Sequence, residues 1–466
     1  MVTPYCGYPR RETTLNDDDH RLWNWANNAV LGEKKQIHQP ENEQVLRQLI
    51  SDAPGRIRMI GSKMSPGRML DLSADTDIFI DLSKLSGMIS STADSATFWG
   101  GTLLQDIYTT LTDMGRMLPS SPGVIAAQTL GGALATGTHG QGLQQSSIAD
   151  EALMIRMVLA DGSVREFVRG DDWFPAVQSG LGALGVVTQV TLRTQPSRVY
   201  TCFKHAFNAD DLEHDIAAWN HQYVLSKAWW FPEENQVHVW NSREASAEEM
   251  ASYLANNNQL LSREVTSDAM NQTIDQTLEH MRSDTQIVDD NGKPFRTVTR
   301  FKDFSDVTGD IYQVFCRGIA TPQINVEIGI PLSRVPDVVQ KIKRWHTETQ
   351  PHMHYPVIMR CTGASEAWLS PSFGEETCYF GFVVYYAEDG SLSAEGLAFL
   401  TAVEALLAEE GGKPHWGKYF DASLYDWSRC YPHWGDFLSV KTQLDPGNKF
   451  ANTFIDSLFD QTGAKR

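Results

Sequence analysis

The sequence predicts an α+β fold in more than one domain, and three observations predict it. The chain has 466 residues, which leaves room for two or three domains. Its first two hundred residues interleave short apolar strand patterns with helical periodicity. From about residue 200 the texture changes to longer polar segments set between apolar, aromatic strands. Composition agrees with a packed protein: 41% of residues are hydrophobic and 21% charged. That is enough apolar area to bury, so disorder is excluded as the main state.

Taken in order, residues 18–54 read as helical, because Leu22, Trp23, Trp25 and Ala26, then Val45, Leu46, Leu49 and Ile50, recur near helical spacing. Ile57–Ile60 is a short apolar run entering a Gly/Ser/Pro turn over 61–67, the pattern of a strand and its loop. Ile78–Leu82 and Ser95–Trp99 read as strands, and Thr102–Met114 as a helix. The stretch Pro119–Gly140 is rich in Gly, Ala, Ser and Thr and nearly free of charge, which lets backbone approach another group closely with amides free to donate. Strands follow at Ala152–Leu159 and Gly185–Leu192. Beyond residue 200, Arg243–Asp290 reads as helical, with a loop at Asp289–Pro294. Asn325–Ile330, Val357–Cys361 and Cys378–Tyr386 read as strands, and Ala394–Ala408 as a helix. The tail after Gly411 is rich in Trp and His and shows no domain of its own.

Charge and cysteine content narrow the classes. A net charge of −19 with no Lys/Arg block argues against a nucleic-acid partner. No apolar run reaches membrane-spanning length, so no integral membrane segment is expected, and the first twenty residues hold no apolar core of a secretory signal. Six scattered cysteines (Cys6, Cys202, Cys316, Cys361, Cys378, Cys430) show neither a CxxC pair nor zinc spacing, which points to reduced thiols and a cytoplasmic location.

Several motifs compete for function. Gly180–Gly185 reads GLGALG and fits the dinucleotide expression, but a strand pattern, Val186–Leu192, follows where a helix is required, which favours a tight turn. His346, His352 and His354 cluster beside Pro351 and Pro356; loop histidines are favoured over a metal site, and no metal is assigned. His415-Trp416-Gly417-Lys418 is either aromatic packing or a lysine aimed at an anion. No GxSxG elbow, Walker A loop or HExxH is present.

Four segments, in order, carry a resemblance. They are Ile60-Gly61-Ser62-Lys63-Met64-Ser65; Thr129–Gly140, ending Gly137-Thr138-His139-Gly140; Arg360-Cys361-Thr362 with Trp368–Pro371; and His415–Lys418 with Leu444–Gly447 and Phe450–Asn452. Over about residues 30–457 the chain resembles the FAD-dependent vanillyl-alcohol-oxidase superfamily. Within it, the chain is most similar to the sugar-1,4-lactone oxidases (L-gulonolactone and D-arabinonolactone oxidases) and the alditol oxidases.

The resemblance implies a two-subdomain, PCMH-type FAD-binding domain over 20–197, after an N-terminal extension over 1–19. It implies an antiparallel-sheet cap over 198–405, and a C-terminal segment, 406–466, that returns to the flavin. It places Ile60 through Ser65, Ser121, Pro122, Gly131, Gly132, Thr136, Gly137, Thr138, His139, Gly140, Gly185, Val187 and Lys418 against the cofactor. Arg360 and Lys418 become the catalytic residues, and Thr129, Ile358, Ser370 and His415 the substrate contacts. The implied activity is hydride removal from a CH–OH group of a small molecule to flavin N5, with O2 as electron acceptor. Oligomeric state stays open.

Two positions depart from the resemblance. Met64 stands where many relatives place a flavin-linking His, so FAD is expected to be held without a covalent bond. Ile358 stands two residues before Arg360, where lactone and alditol oxidases place a Glu, and an aliphatic side chain cannot accept a proton. The pocket is therefore expected to be less polar than a polyol site, with Tyr379, Tyr386 and His415 as possible bases. A specialised enzyme for a less polar, non-sugar substrate and a flavin-binding protein without catalysis are the alternatives. A buried ion pair within the cap is the plain structural alternative for Arg360.

Overall fold

A small parallel sheet opens the chain. Ile37–His38 and Ile57–Ile60 flank Ile78–Asp81 in parallel register, and the helix Glu43–Asp52 packs on them. This computed structural model describes residues 20–26, 29–263, 306–316, 323–351, 353, 355–385 and 394–460. The helix starts at Asn42, whose side chain accepts from the Val45 N–H, and buries Leu46 and Ile50.

The helical reading of 18–54 is corrected here. Arg21–Trp23 and Val30–Glu33 form an antiparallel pair, and among the described residues of this stretch only Glu43–Asp52 is α-helical. Leu22 and Leu31 are core residues that pack with Ile60 and Phe79, so tertiary burial overrides the helical spacing. Pro40 just before Asn42 fits the start of the one real helix.

The second subdomain is a five-stranded antiparallel sheet in the order Val164–Val168, Ala152–Val158, Val186–Arg193, Ser95–Trp99, Met88–Ser91. The helices Leu104–Asp113 and Leu130–Thr136 accompany it. The GLGALG segment is a turn with left-handed Leu181 and Gly182, running into a strand. The dinucleotide fingerprint lacks its helix.

Among the described residues the cap holds a nine-stranded antiparallel sheet. Its order is Leu261–Arg263, Asp306–Gly309, Tyr200–Asn208, Gln236–Glu244, Leu225–Phe231, Val357–Thr362, Thr377–Tyr385, Gln323–Pro331, Lys413–Pro414. The helices Leu212–Gln222, Val335–Thr349 and Ala394–Glu409 pack with it. The helical reading of Arg243–Asp290 is also corrected. A strand runs through Glu244, Ser246 caps a helix over Ala247–Ala255, and the backbone turns left-handed at Asn257 and Asn258. After the strand Leu261–Arg263, residues 264–290 of that segment, the Asp289–Pro294 loop, Tyr386, His352 and His354 lie outside the described residues. Among the described residues no helix is long and apolar enough to cross a membrane, and Cys202, Cys316, Cys361, Cys378 and Cys430 are free thiols.

The tail ties back to the first subdomain. Arg58 Nη1 donates to the Phe450 carbonyl, Asn452 Nδ2 donates to the Asp71 carbonyl at 2.8 Å, and the Ile57 N–H donates to the Lys449 carbonyl at 2.7 Å. Arg58 also donates to the carbonyls of Leu181 and Gly182, so one buried guanidinium pins the GLGALG turn and the tail together. Trp416 is fully buried against Trp427 and Tyr431, and its Nε1–H donates to the Leu369 carbonyl. With Trp416 anchored, its neighbours His415 and Lys418 face a cavity.

Candidate active site

Two connected hollows lie between the subdomains and the cap. The first is walled by backbone. Ile60–Ser65, Thr129, Gly131, Gly132, Gly100, Gly101, the Gly180–Gly182 turn, Gly185 and Val187 line it. A Cβ at Gly61 would sit 2.3 Å from Thr129 Oγ1, and one at Gly101 would sit 2.0 Å from the Leu82 carbonyl oxygen, so the walls close in only because glycine stands there. Thr129 caps the short Leu130–Thr136 helix by accepting from the Gly132 N–H at 3.3 Å. Lys63 holds a left-handed backbone at the rim. A groove of glycine and amide fits a flat ring and a pyrophosphate, which need close approach and converging N–H donors.

The second hollow, about 380 Å³, lies under the cap sheet. Met64, Ser65, Gln128 and Thr136 line both, so the two are continuous. Thr138, His139, Ile358, Arg360, His415 and Lys418 line the second, together with Glu327, which sequence reading missed. Thr129 faces the first hollow only. Ser121, Pro122, Gly137, Gly140 and Ser370 line neither. Ser121 is buried and its N–H donates to Gln145 Oε1; Gly140 packs on it so closely that a Cβ would meet the Ser121 carbonyl oxygen at 2.4 Å. Gly137 is the left-handed end of the short helix, and Ser370 Oγ lies 3.1 Å from Ser372 Oγ.

Glu327 is the hub. Arg360 Nη2 donates to its Oε1 at 2.5 Å, Lys418 Nζ lies 3.8 Å from Oε2, and His139 Nε2 lies 3.7 Å from Oε1. Burial opposes the charged form, but Arg360 and Lys418 overcome it and hold the carboxyl well below the usual range. The ion pair anticipated for Arg360 therefore exists, and it faces the cavity. Arg360 is locked from behind as well, since a Cβ on Gly123 would lie 1.4 Å from its Nη1.

Hydrogen bonding assigns the two imidazoles opposite roles. His139 Nδ1 donates to the Gly140 carbonyl, which leaves a lone pair on Nε2. His415 Nδ1 accepts from the Gly417 N–H at 2.9 Å, which puts its proton on Nε2. Burial drives His139 down to about 4 and His415 well below its ordinary value, so both are neutral near pH 7. His139 stacks on Tyr379 with ring centroids 3.6 Å apart, and burial pushes the Tyr379 hydroxyl up, away from a base's range. His139, Glu327 and His415 would together give a metal three ligands, but Arg360 and Lys418 already supply the positive charge there.

The family described as D-arabinono-1,4-lactone oxidase matches residues 190–458, and an FAD binding domain matches residues 35–167. The chain belongs to the D-arabinono-1,4-lactone oxidase family. It is an enzyme, an FAD-dependent oxidoreductase of the vanillyl-alcohol-oxidase superfamily. It is 24% identical to L-gulonolactone oxidase of Mus musculus over 462 residues, which covers 94% of this chain and 97% of the mouse protein. It is equally 24% identical to L-gulono-1,4-lactone dehydrogenase of Mycobacterium tuberculosis (93% and 98% covered) and to alditol oxidase of Streptomyces sp. (94% and 98%). The crystal structure of cholesterol oxidase from B. sterolicum superposes with a TM-score of 0.73 at 14% identity, covering 97% of this chain and 99% of that one, and so shares the fold.

Proposed function

We propose that this family member removes hydride from a CH–OH carbon of a small molecule, with FAD in the glycine-walled hollow and the alcohol in the cavity under the cap. The observation that carries this reading is the continuity of the two hollows at Met64, Ser65, Gln128 and Thr136, beside the Glu327–Arg360–Lys418 cluster. Ile60–Ser65, Gly131, Gly132, Gly185 and Val187 would hold the cofactor, which when bound supplies the two-electron acceptor. O2 is the proposed final acceptor.

The chain's own residues handle the proton. His139 Nε2 takes the hydroxyl proton, because its lone pair is the only imidazole acceptor among the described cavity residues. The imidazolium so formed faces the Glu327 carboxylate 3.7 Å away, which stabilises it. Arg360 keeps Glu327 ionised and in place, and His415 Nε2–H is oriented to donate to a substrate oxygen. Met64 has no ring nitrogen, which supports a non-covalent cofactor, and free thiols support a cytoplasmic location.

Purified protein should show a flavin band and leave its colour in the supernatant after acid precipitation; a coloured pellet would refute the non-covalent reading. Anaerobic mixing with D-arabinono-1,4-lactone, xylitol and hydroxy acids should bleach the band with at least one of them. A flavin that no alcohol reduces would refute the function.

A further inference from the structure

We propose that the substrate of this CH–OH oxidation is an elongated alcohol with a largely apolar body and a second hydroxyl at the end remote from the reacting carbinol, and that Gln323 receives that second hydroxyl. The inference rests on the flavoenzyme reading above and adds the substrate class.

Two observations carry it. The first is an orphaned amide. Gln323 opens the cap strand Gln323–Pro331, lines the cavity and is only 8% exposed. Among the described residues nothing donates to its buried Oε1. Folded chains rarely leave a buried amide oxygen unserved, because stripping its water costs free energy that no contact then returns. Side chains alternate along a strand, so Gln323, Asn325 and Glu327 share one face. Glu327 marks that face as the cavity side through Arg360, Lys418 and His139. The Gln323 amide is thus aimed into the hollow. A hydroxyl both donates and accepts, so it serves whichever end of the amide it meets.

The second is the length and lining of the path between the two ends. Four strand residues put Gln323 about 13 Å from Glu327, beside which the carbinol reacts. With bonds of about 1.5 Å, a five-carbon lactone is roughly half that long. The row of the sheet that holds Glu327 continues through Gly381 and Ile358 to Trp229, and in the row nearer Gln323, Asn325 pairs with Val383. Val314 and Phe315 line the same hollow. Along these groups a polyol would leave hydroxyls without partners, whereas a hydrocarbon body would pack. Its far hydroxyl would then meet the amide of Gln323, with the carbinol left for His139 and His415.

The test titrates the holoprotein anaerobically with 1-octanol, 1,8-octanediol and 1,2-octanediol, following the flavin spectrum and tryptophan fluorescence, since Trp25 and Trp229 line the cavity. The two diols are isomers and differ only in where the second hydroxyl sits. A hydroxyl carried from water into a site without a partner weakens binding, so a gain reports a partner. 1,8-Octanediol should bind at least about fivefold tighter than 1-octanol and than 1,2-octanediol. Gln323→Leu should erase that preference with the flavin spectrum retained. Equal or weaker binding of 1,8-octanediol, which ordered water alone at the amide would produce, would overturn the proposal. So would an equal gain with 1,2-octanediol, no binding of any of the three, or a preference that survives in a folded Gln323→Leu protein. The three-ligand comparison on the unaltered protein decides the matter even if the variant fails to fold. Tryptophan fluorescence reports binding with or without flavin, so failure of the cofactor reading shows up separately, as a missing flavin band.

Discussion

Glu327 and Ile358 stand on either side of Gly381 in a single row of the cap sheet: Glu327 pairs with Gly381 on one flank and Ile358 with Gly381 on the other. The carboxylate absent from position 358 is thus present two strands away, facing the same cavity. Gly381 leaves the space between them open, and a Cβ there would lie 3.3 Å from the Ile358 Cβ.

That row predicts the outcome of Ile358→Glu. A second carboxylate would enter a half-buried apolar position across Gly381 from one already paired with Arg360. Turnover of the native substrate should not rise, and stability should fall by about 1–3 kcal/mol from the unpaired polar group. Thermal denaturation and initial rates check this. A clear gain on D-arabinono-1,4-lactone would show that Ile358 alone excludes sugar lactones.

Glu327 was partly legible in the chain. Over Gln323–Pro331 the residues Ile324, Val326, Ile328 and Ile330 are fully buried, while Gln323, Asn325 and Glu327 alternate with them and line the cavity. A charged residue amid such alternation marks a polar inner face. Which face it is, and that Arg360 and Lys418 meet there, depends on strand order, and no local pattern carries that. The strands Ile57–Ile60 and Ser95–Trp99 were read with their bounds because both are short apolar or alternating runs between turn residues. The stretch before Asn42 misled because Leu22, spaced like a helix residue with its neighbours, is a strand residue packed with Leu31, Ile60 and Phe79.

Gly123→Ala should displace Arg360 without unfolding the protein. The added methyl would overlap the far end of a long side chain, which can move, rather than backbone. Glu327 would then lose its 2.5 Å partner. Substrate-driven flavin reduction should slow by at least about tenfold, consistent with loss of a positioning contact, while the melting temperature shifts little. Equal rates in the variant and the parent protein would show that Arg360 does not position the site.

Glu404 makes stability pH-dependent. It is fully buried on the Ala394–Glu409 helix, its Oε1 accepts from the Asp421 N–H and the Tyr425 hydroxyl, and burial lifts its pKa to about 8. The folded state therefore holds a proton that the unfolded chain releases near pH 4.5. The stabilisation it contributes is complete below that pH and fades as pH rises toward 8. Glu404→Gln keeps an acceptor and removes the titration. Denaturant midpoints measured from pH 5 to 9 should fall less steeply in the variant, and parallel curves would refute the assignment.

The proton acceptor predicts its own pH profile. His139 titrates near 4 because burial outweighs the attraction of Glu327, so its Nε2 is already unprotonated above pH 5. Flavin reduction by a productive alcohol should then be flat from pH 5 to 8 and fall only as the pH approaches 4. Replacing the ring by His139→Gln should lower the reduction rate about 10²–10⁴-fold, the usual contribution of a positioned base. Glu327→Gln should act differently. It leaves Arg360 and Lys418 facing each other without their carboxylate, and breaking such a buried pair costs about 3–5 kcal/mol of stability. Loss of rate with normal melting in His139→Gln, and loss of both in Glu327→Gln, would separate the base from the residue that holds it in place. A normal reduction rate in His139→Gln would move the base to another group.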